Sequence, residues 1–82
     1  MGSLLRIGNL SMSTSNEELA MKLAGHGDVE SLTVTRNSQS GSSRQTAIVI
    51  MANEVDAQSV IDWLHLSQFD DQTISVTRVL KN

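Results

Sequence analysis

The sequence contains no cysteine, proline or tyrosine, and it has a single tryptophan, Trp63, and a single phenylalanine, Phe69. Without cysteine, a disulfide framework, a cysteine-ligated metal site and a thiol nucleophile are all excluded. No apolar run approaches the roughly 20 residues that a membrane span requires, and the amino terminus lacks the apolar stretch of a signal peptide. We therefore expect an intracellular protein that does not associate with membranes.

The rest of the composition describes one small domain. The chain has 82 residues, of which 39% are hydrophobic, and nine acidic and six basic side chains give a formal net charge of -3. A domain of this size buries only about 60% of the surface that its unfolded chain exposes, so its core must be well packed. Isoleucine, leucine and valine supply that core, and we expect residues 1–82 to form a single domain.

Catalytic and metal-binding patterns are also missing. His26 and His65 are the only histidines, and neither has a carboxylate at the spacing of a metal-binding motif. The chain has no nucleophile elbow, no phosphate-binding glycine loop and no paired carboxylate site. We therefore expect that the protein is not an enzyme and that it uses no cofactor or metal ion.

The first half of the chain predicts a strand, a helix and a second strand. Residues 4–10 form a short apolar run that ends in a turn, which is typical of a strand. Ser15 and Glu18 have the spacing of a capping box, so a helix should begin there and end near Ala24, where glycines follow. From Val29 onward, apolar and polar residues alternate, which indicates a half-buried strand.

The second half of the chain also predicts a strand, a helix and a strand. Residues 37–43 are polar and predict a loop between antiparallel strands, and residues 44–51 predict a buried central strand. One face of that strand should carry Ala47, Val49 and Met51, and the other Arg44, Thr46, Ile48 and Ile50. Asn53 can cap a second helix, Asp70 and Asp71 form a turn, and a last strand that contains Ile74 and Val76 follows. The order strand, helix, strand, strand, helix, strand predicts an α+β fold of the ferredoxin-like βαββαβ type. Its four-stranded antiparallel sheet should carry both helices on one face.

Several segments resemble the RNA recognition motif family. Residues 5–10, Leu-Arg-Ile-Gly-Asn-Leu, resemble the hexamer on the first strand of that family, and residues 44–51 stand where its octamer belongs. The capped helix after Leu10, the segment 27–31 before the second strand, and Phe69-Asp70 before the last strand fit the same pattern. The resemblance covers the whole chain and implies that single-stranded RNA binds to the sheet face.

The residues that usually contact RNA in this family are altered. Arg6 stands where the hexamer usually has an aromatic residue, and Thr46 and Ile48 stand at the two aromatic positions of the octamer, where Gln45 replaces a glycine. Stacking one base on an aromatic ring contributes about 1 to 3 kcal/mol. These substitutions predict weak or atypical RNA binding, in which the guanidinium plane of Arg6 can still stack on a base.

Charge is distributed unevenly along the chain. Most basic residues fall on predicted strands, whereas the acidic residues fall on the helices and the adjoining loops. A basic sheet face can attract phosphate even in an acidic protein, although solvated arginines and helix-capping carboxylates would give the same pattern. On the first interpretation, the predicted RNA-binding residues are Arg6, Asn9, Arg36, Arg44, Thr46, Ile48 and Arg78.

An alternative function is protein interaction or self-association. Ile48 and Ile50 can form an apolar patch for a protein partner or a homodimer, or they can simply stabilise a central strand that the region of Leu80 covers. Trp63 lies beside the apolar stripe of the second helix and should be partly exposed, as a partner anchor or as a cover for the helix-sheet contact. The structural interpretation is favoured for the isoleucines because single exposed aliphatic side chains are common. It is favoured for Trp63 because a domain this small has few other bulky residues.

Overall fold

The computed structural model of the chain describes residues 2–36 and 44–79, with Arg36 described by its backbone alone. The predicted loop at residues 37–43 and the segment containing Leu80 and Lys81 lie outside the described residues. In chain order the elements are β1 (Ser3–Ser11), α1 (Asn16–Ala24), β2 (Val29–Arg36), β3 (Arg44–Met51), α2 (Glu54–Leu64), β4 (Gln68–Phe69), β5 (Gln72–Thr73) and β6 (Ser75–Arg78).

The predicted ferredoxin-like fold is confirmed. Strands β2, β3, β1 and β6 lie side by side in that order in one antiparallel sheet. The apolar core lies between the helices and one face of this sheet. It contains Leu5, Ile7, Leu10, Leu19, Leu23, Ala47, Val49, Met51, Ala57, Val60, Leu64, Ile74 and Val76, each at most 2% exposed. Neither helix of the described residues lies on the opposite side of the sheet, and we call that side the open face.

Both predicted helix starts are present. Ser15 Oγ accepts a hydrogen bond from the Glu18 backbone amide at 3.1 Å, and Glu18 Oε1 accepts one from the Ser15 amide at 3.3 Å. Asn53 Oδ1 accepts from the Asp56 amide at 2.8 Å. These side chains satisfy amides that have no partner in the first helical turn, which fixes where each helix begins.

Helix α1 ends at Ala24 as predicted, but by a different mechanism. Gly25 follows it with a φ of -71°, so no left-handed residue ends the helix there. Gly27 is required for another reason, since a Cβ at this position would lie 2.5 Å from Asp56 Cβ. The glycine therefore allows the loop after α1 to pack closely against α2.

The chain contains one hairpin that the alternation pattern did not predict. Strands β4 and β5 pair with each other as a separate two-stranded sheet. Asp70 and Asp71 form its turn, as expected, with φ values of 51° and 65° that aspartate tolerates better than most residues. The last strand accordingly starts at Ser75, and Ile74, which was predicted to lie within it, is buried just before it.

Neither of the two helices in the described part of the chain is long and apolar enough to cross a membrane. No cluster of three or more histidine or carboxylate side chains suited to a metal ion occurs among the same residues.

Candidate nucleic-acid interface

A row of four side chains crosses the open face from edge to edge. Strand pairing places Thr33 of β2 beside Ile48 of β3, Ile48 beside Arg6 of β1, and Arg6 beside Thr77 of β6. Arg6 is exposed and Ile48 is 37% exposed. This placement follows from strand alternation, because neighbouring residues such as Leu5 and Ile7 point into the core. Arg6 and Ile48, predicted to lie on one surface, are therefore adjacent.

Asn9 organises one end of the open face. It lies where the pairing of β1 with β3 shifts register, between Ile7 and Leu10, and its φ of 64° is left-handed. Asparagine is one of the few residues that adopt this conformation readily. Its Nδ2 donates to the Thr73 carbonyl at 2.8 Å, and its Oδ1 accepts from Arg44 Nε at 3.1 Å. Asn9 thus links β5 to the start of β3 and orients the guanidinium of Arg44.

Thr46 lies on the open face, as predicted, but is half-buried. It pairs with Thr35 of β2 across the sheet. The alternation of β3 is also as predicted, with Ala47 and Val49 fully buried on the helix side. Positions 46 and 48, where the octamer usually has aromatic residues, therefore both belong to the open face.

The placement of Arg78 on the RNA-binding face is wrong. Arg78 pairs with Leu5 across β6 and β1, and its side chain extends toward α2 on the helix side of the sheet. Its Nη2 lies 2.7 Å from Glu54 Oε1 and 2.9 Å from Gln58 Oε1. Membership of a strand does not decide the face that a residue occupies, whereas alternation does: Thr77 takes the open face and Arg78 the other.

Arg36 stays a prediction. Its backbone pairs with Gln45 at the end of β2, and its side chain lies outside what the structure describes.

The sequence analysis missed two exposed residues of the open face. Thr33 and Thr77 flank Ile48 and Arg6 in the row that crosses the sheet. The alternation of β2 and β6 would have identified both threonines.

Ile50 and Trp63 have opposite environments. Ile50 is half-buried on the open face, where a side chain at Gly2 would collide with it. This close approach of the amino-terminal backbone agrees with the structural interpretation of Ile50. Trp63 is instead 69% exposed on α2, and its ring stacks on His26 with 6.2 Å between the ring centroids. The interpretation of Trp63 as a cover for the helix-sheet contact is therefore wrong.

Comparison with known proteins identifies the family. The RNA recognition motif model matches residues 5–75. The chain belongs to the RNA recognition motif family. This is a family of RNA-binding modules and not of enzymes, so the broad expectation of an RNA-binding domain is confirmed. A search of curated proteins found no significant match.

Solved RNA recognition motif structures have the same fold. The chain is similar to the third such domain of Pes4, with a TM-score of 0.87 and 19% identity over 98% of this chain and 94% of that one. It is similar to the RNA-binding protein PG1, with a TM-score of 0.82 and 29% identity over 98% and 96% of the two chains. It is also similar to the Rna15 domain solved with bound RNA (GU), with a TM-score of 0.80 and 14% identity over 95% and 83%.

Proposed function

We propose that this domain binds single-stranded RNA weakly through its open face, with a base stacked on Arg6 and contacting Ile48. The observation that supports this most directly is the position of Arg6. It replaces the usual aromatic residue of the hexamer, it is exposed, and it lies between Ile48 and Thr77 in the central row of the sheet. A planar guanidinium can stack on a base and also carries a positive charge that attracts phosphate.

The expected affinity is low because the face lacks aromatic platforms. Arg6, Thr46 and Ile48 occupy the three positions that are usually aromatic, and each lost base stack removes about 1 to 3 kcal/mol. A micromolar complex has only about 8 kcal/mol of binding free energy in total. Guanidinium stacking and phosphate attraction therefore have to provide most of the binding free energy at this surface.

The charge distribution supports RNA on the open face over RNA on the helices. Arg6 lies on the open face, and the hydrogen bond to Asn9 holds Arg44 at one end of that face. The helices instead begin with acidic residues, Glu17 and Glu18 in α1 and Glu54 and Asp56 in α2. Phosphate groups that approach the sheet meet positive charge first.

An NMR titration with a pool of short single-stranded RNAs tests the proposal. The amide signals of Thr33, Ile48 and Thr77 should shift on RNA addition, because these residues form the row around Arg6. Arg6→Ala should weaken binding to every RNA tested and reduce the salt dependence by about 0.7 in logarithmic slope for each lost phosphate contact. Lys22→Ala removes the same charge from the exposed surface of α1 and, at 0.15 M salt and above, should change neither quantity. Shifts confined to the helices, or an unchanged slope in Arg6→Ala, would contradict the proposal.

A second test restores the missing platforms. Thr46→Phe combined with Ile48→Phe should tighten RNA binding by about 1 kcal/mol or more through base stacking. Val55→Phe is a suitable control, since Val55 is 76% exposed on α2, away from the open face. If the folded double variant binds no more tightly than the control, RNA does not occupy this face.

The competing function of the same face is self-association or binding of a protein through Ile48. Salt distinguishes the two functions, because added salt weakens phosphate contacts but does not weaken apolar association. Sedimentation of the RNA-free protein over a concentration series should show a monomer. A salt-resistant dimer in which the open-face amides are shifted would favour the protein-binding function instead.

A further inference from the structure

Trp63, which is exposed, and His26, which is half-buried, form an aromatic pair on the helix side of the domain, away from the open face. Their ring centroids are 6.2 Å apart and their planes are inclined by 23°. Trp63 is 69% exposed despite this stacking, so much of the indole remains accessible to a ligand. RNA bound to the open face does not use this pair. We call it the Trp63–His26 pair.

The loop that carries His26 is held firmly between the two helices. The His26 amide donates to the Leu23 carbonyl at 2.9 Å, which fixes the residue to the end of α1. The Asp28 amide donates to Asp56 Oδ2 at 3.0 Å, and Gly27 lies so close to Asp56 that no side chain would fit. The pair is therefore positioned before any ligand arrives, which reduces the entropy that binding would cost.

The surroundings of the pair carry excess negative charge. Asp28 and Asp62 are exposed, and each lies one or two residues from a member of the pair. The only salt bridge within residues 2–36 and 44–79 joins Arg78 to Glu54, so neither aspartate is in one. Asp62 accepts a hydrogen bond from the neutral Gln58 side chain at 2.8 Å, which leaves its charge uncompensated. Lys22 on α1 is the one basic residue within the two helices.

We propose that the Trp63–His26 pair and its flanking aspartates bind an arginine-rich segment of a partner protein. Guanidinium groups are attracted to the face of an indole ring and pair with carboxylates, so one ligand group satisfies both features of this surface. The negative charge argues against RNA at this position, because its phosphates would face Asp28 and Asp62. It argues equally against a symmetric contact with a second copy of the chain, since two such surfaces would repel each other.

Fluorescence gives a direct test because Trp63 is the only tryptophan in the chain. The probe is a capped peptide of alternating glycine and arginine, titrated into the whole chain at about 20 mM salt, where charge interactions reach beyond 10 Å. We expect a saturable change in Trp63 emission that weakens as salt is added. A matched peptide with citrulline in place of arginine keeps the size and removes the charge, and it should give no saturable change.

Variants assign the binding to this surface. Asp62→Asn should weaken peptide binding about two- to fivefold, the range expected for one exposed charge interaction. Glu17→Gln should not weaken it, because Glu17 lies in the first turn of α1 and His26 follows the last turn. Trp63→Ala should weaken peptide binding about fivefold or more. Because this variant has no tryptophan emission, its binding is measured from the NMR shift of the His26 amide. Arg6→Ala should not weaken peptide binding and should change it by less than about twofold, which separates this proposal from RNA binding at the open face.

Four results would overturn the proposal. They are the absence of any saturable response, equal binding of the citrulline peptide, and equal affinity in Asp62→Asn and wild type. The fourth is a change in Trp63 emission with protein concentration alone or with an oligouridine of similar length. That result would assign the surface to a second copy of the chain or to RNA.

Discussion

Gln45 shows how one residue can replace a feature that the family usually has. It stands where the octamer usually carries glycine, and its side chain is 8% exposed. Its Nε2 donates to the carbonyls of Ser11 and Thr14, at 2.9 and 3.0 Å. These two bonds fix the loop between β1 and α1 directly to the central strand of the sheet.

Removing the Gln45 amide should therefore destabilise the domain. Gln45→Leu keeps about the same side-chain volume but leaves the buried Thr14 carbonyl without a donor, which should lower the free energy of unfolding by about 1 to 3 kcal/mol. The Ser11 carbonyl still accepts from the Thr14 amide at 3.1 Å. Gln68→Leu makes the same chemical change at an exposed position of β4, and it should stay within about 0.5 kcal/mol of wild type. Urea denaturation of the two variants measures the difference. Equal stabilities would mean that the two bonds contribute nothing.

Trp63 and its neighbour Leu64 give a second prediction at the residue scale. Trp63 is 69% exposed, whereas Leu64 is 2% exposed and belongs to the core. Leu64→Ala should cost about 2 to 5 kcal/mol of unfolding free energy through lost burial and a cavity. Trp63→Ala should cost about 1 kcal/mol or less, because the ring loses little buried surface. Thermal or denaturant melts decide this, and a larger loss for Trp63→Ala would show that its ring supports the fold.

These residues also show what sequence could and could not establish about the candidate site. The alternation of β3 placed Thr46 and Ile48 on one face, and the structure agrees. Arg78 was misplaced because strand membership was used without alternation, although its parity with the buried Val76 was readable. Partial exposure of Trp63 was predicted, but whether its ring covers the helix-sheet contact could not be read, since a residue at the margin of an apolar helix stripe can turn to either side.

At the scale of elements, the edge strand β6 depends on a side chain from outside the sheet. The Val76 amide donates to His65 Nδ1 at 3.0 Å, and His65 directly follows α2. An edge strand has no neighbour on its outer side, so its outward amides need other acceptors. His65 therefore ties α2 to β6 and satisfies one of these groups.

Amide hydrogen exchange should detect this bond. His65→Ala leaves the Val76 amide without its acceptor, and a lost hydrogen bond of about 1 kcal/mol corresponds to roughly fivefold faster exchange at that amide. His26→Ala is the matched control, because His26 makes no contact with β6 that the structure describes. An unchanged Val76 exchange rate in His65→Ala would show that another acceptor takes over.

The elements differ in how clearly the sequence indicated them. Helix starts were readable because Ser15 and Asn53 satisfy identifiable backbone amides. The hairpin of β4 and β5 was not, because two-residue strands are too short to show alternation. The hydrogen bond between Val76 and His65 could not be predicted either, because these two residues become neighbours only after the chain has folded.

At the scale of the whole molecule, the domain separates its charges across a thin body. Its dimensions are 35 × 28 × 20 Å, and the open face and the helix surface lie on opposite sides. Arg6 and Arg44 occupy one side and the helix carboxylates the other, so a net charge of -3 does not describe either surface. The two proposed ligands, RNA and an arginine-rich segment, carry opposite charges and fit opposite sides.

This separation predicts how salt should control RNA binding. The Debye length is about 8 Å at 0.15 M salt and about 30 Å at 0.01 M. Charges about 20 Å from the RNA are therefore screened at 0.15 M salt but still interact with its phosphates at 0.01 M. Glu17→Gln combined with Asp62→Asn removes two exposed carboxylates from the helices. From Coulomb's law in water, we expect RNA binding about two- to fourfold tighter at 0.01 M and within about 1.3-fold of wild type at 0.15 M. Fluorescence anisotropy of a labelled RNA at both salt concentrations measures this. A gain of equal size at both would place the RNA next to the helices and remove the open face as its site.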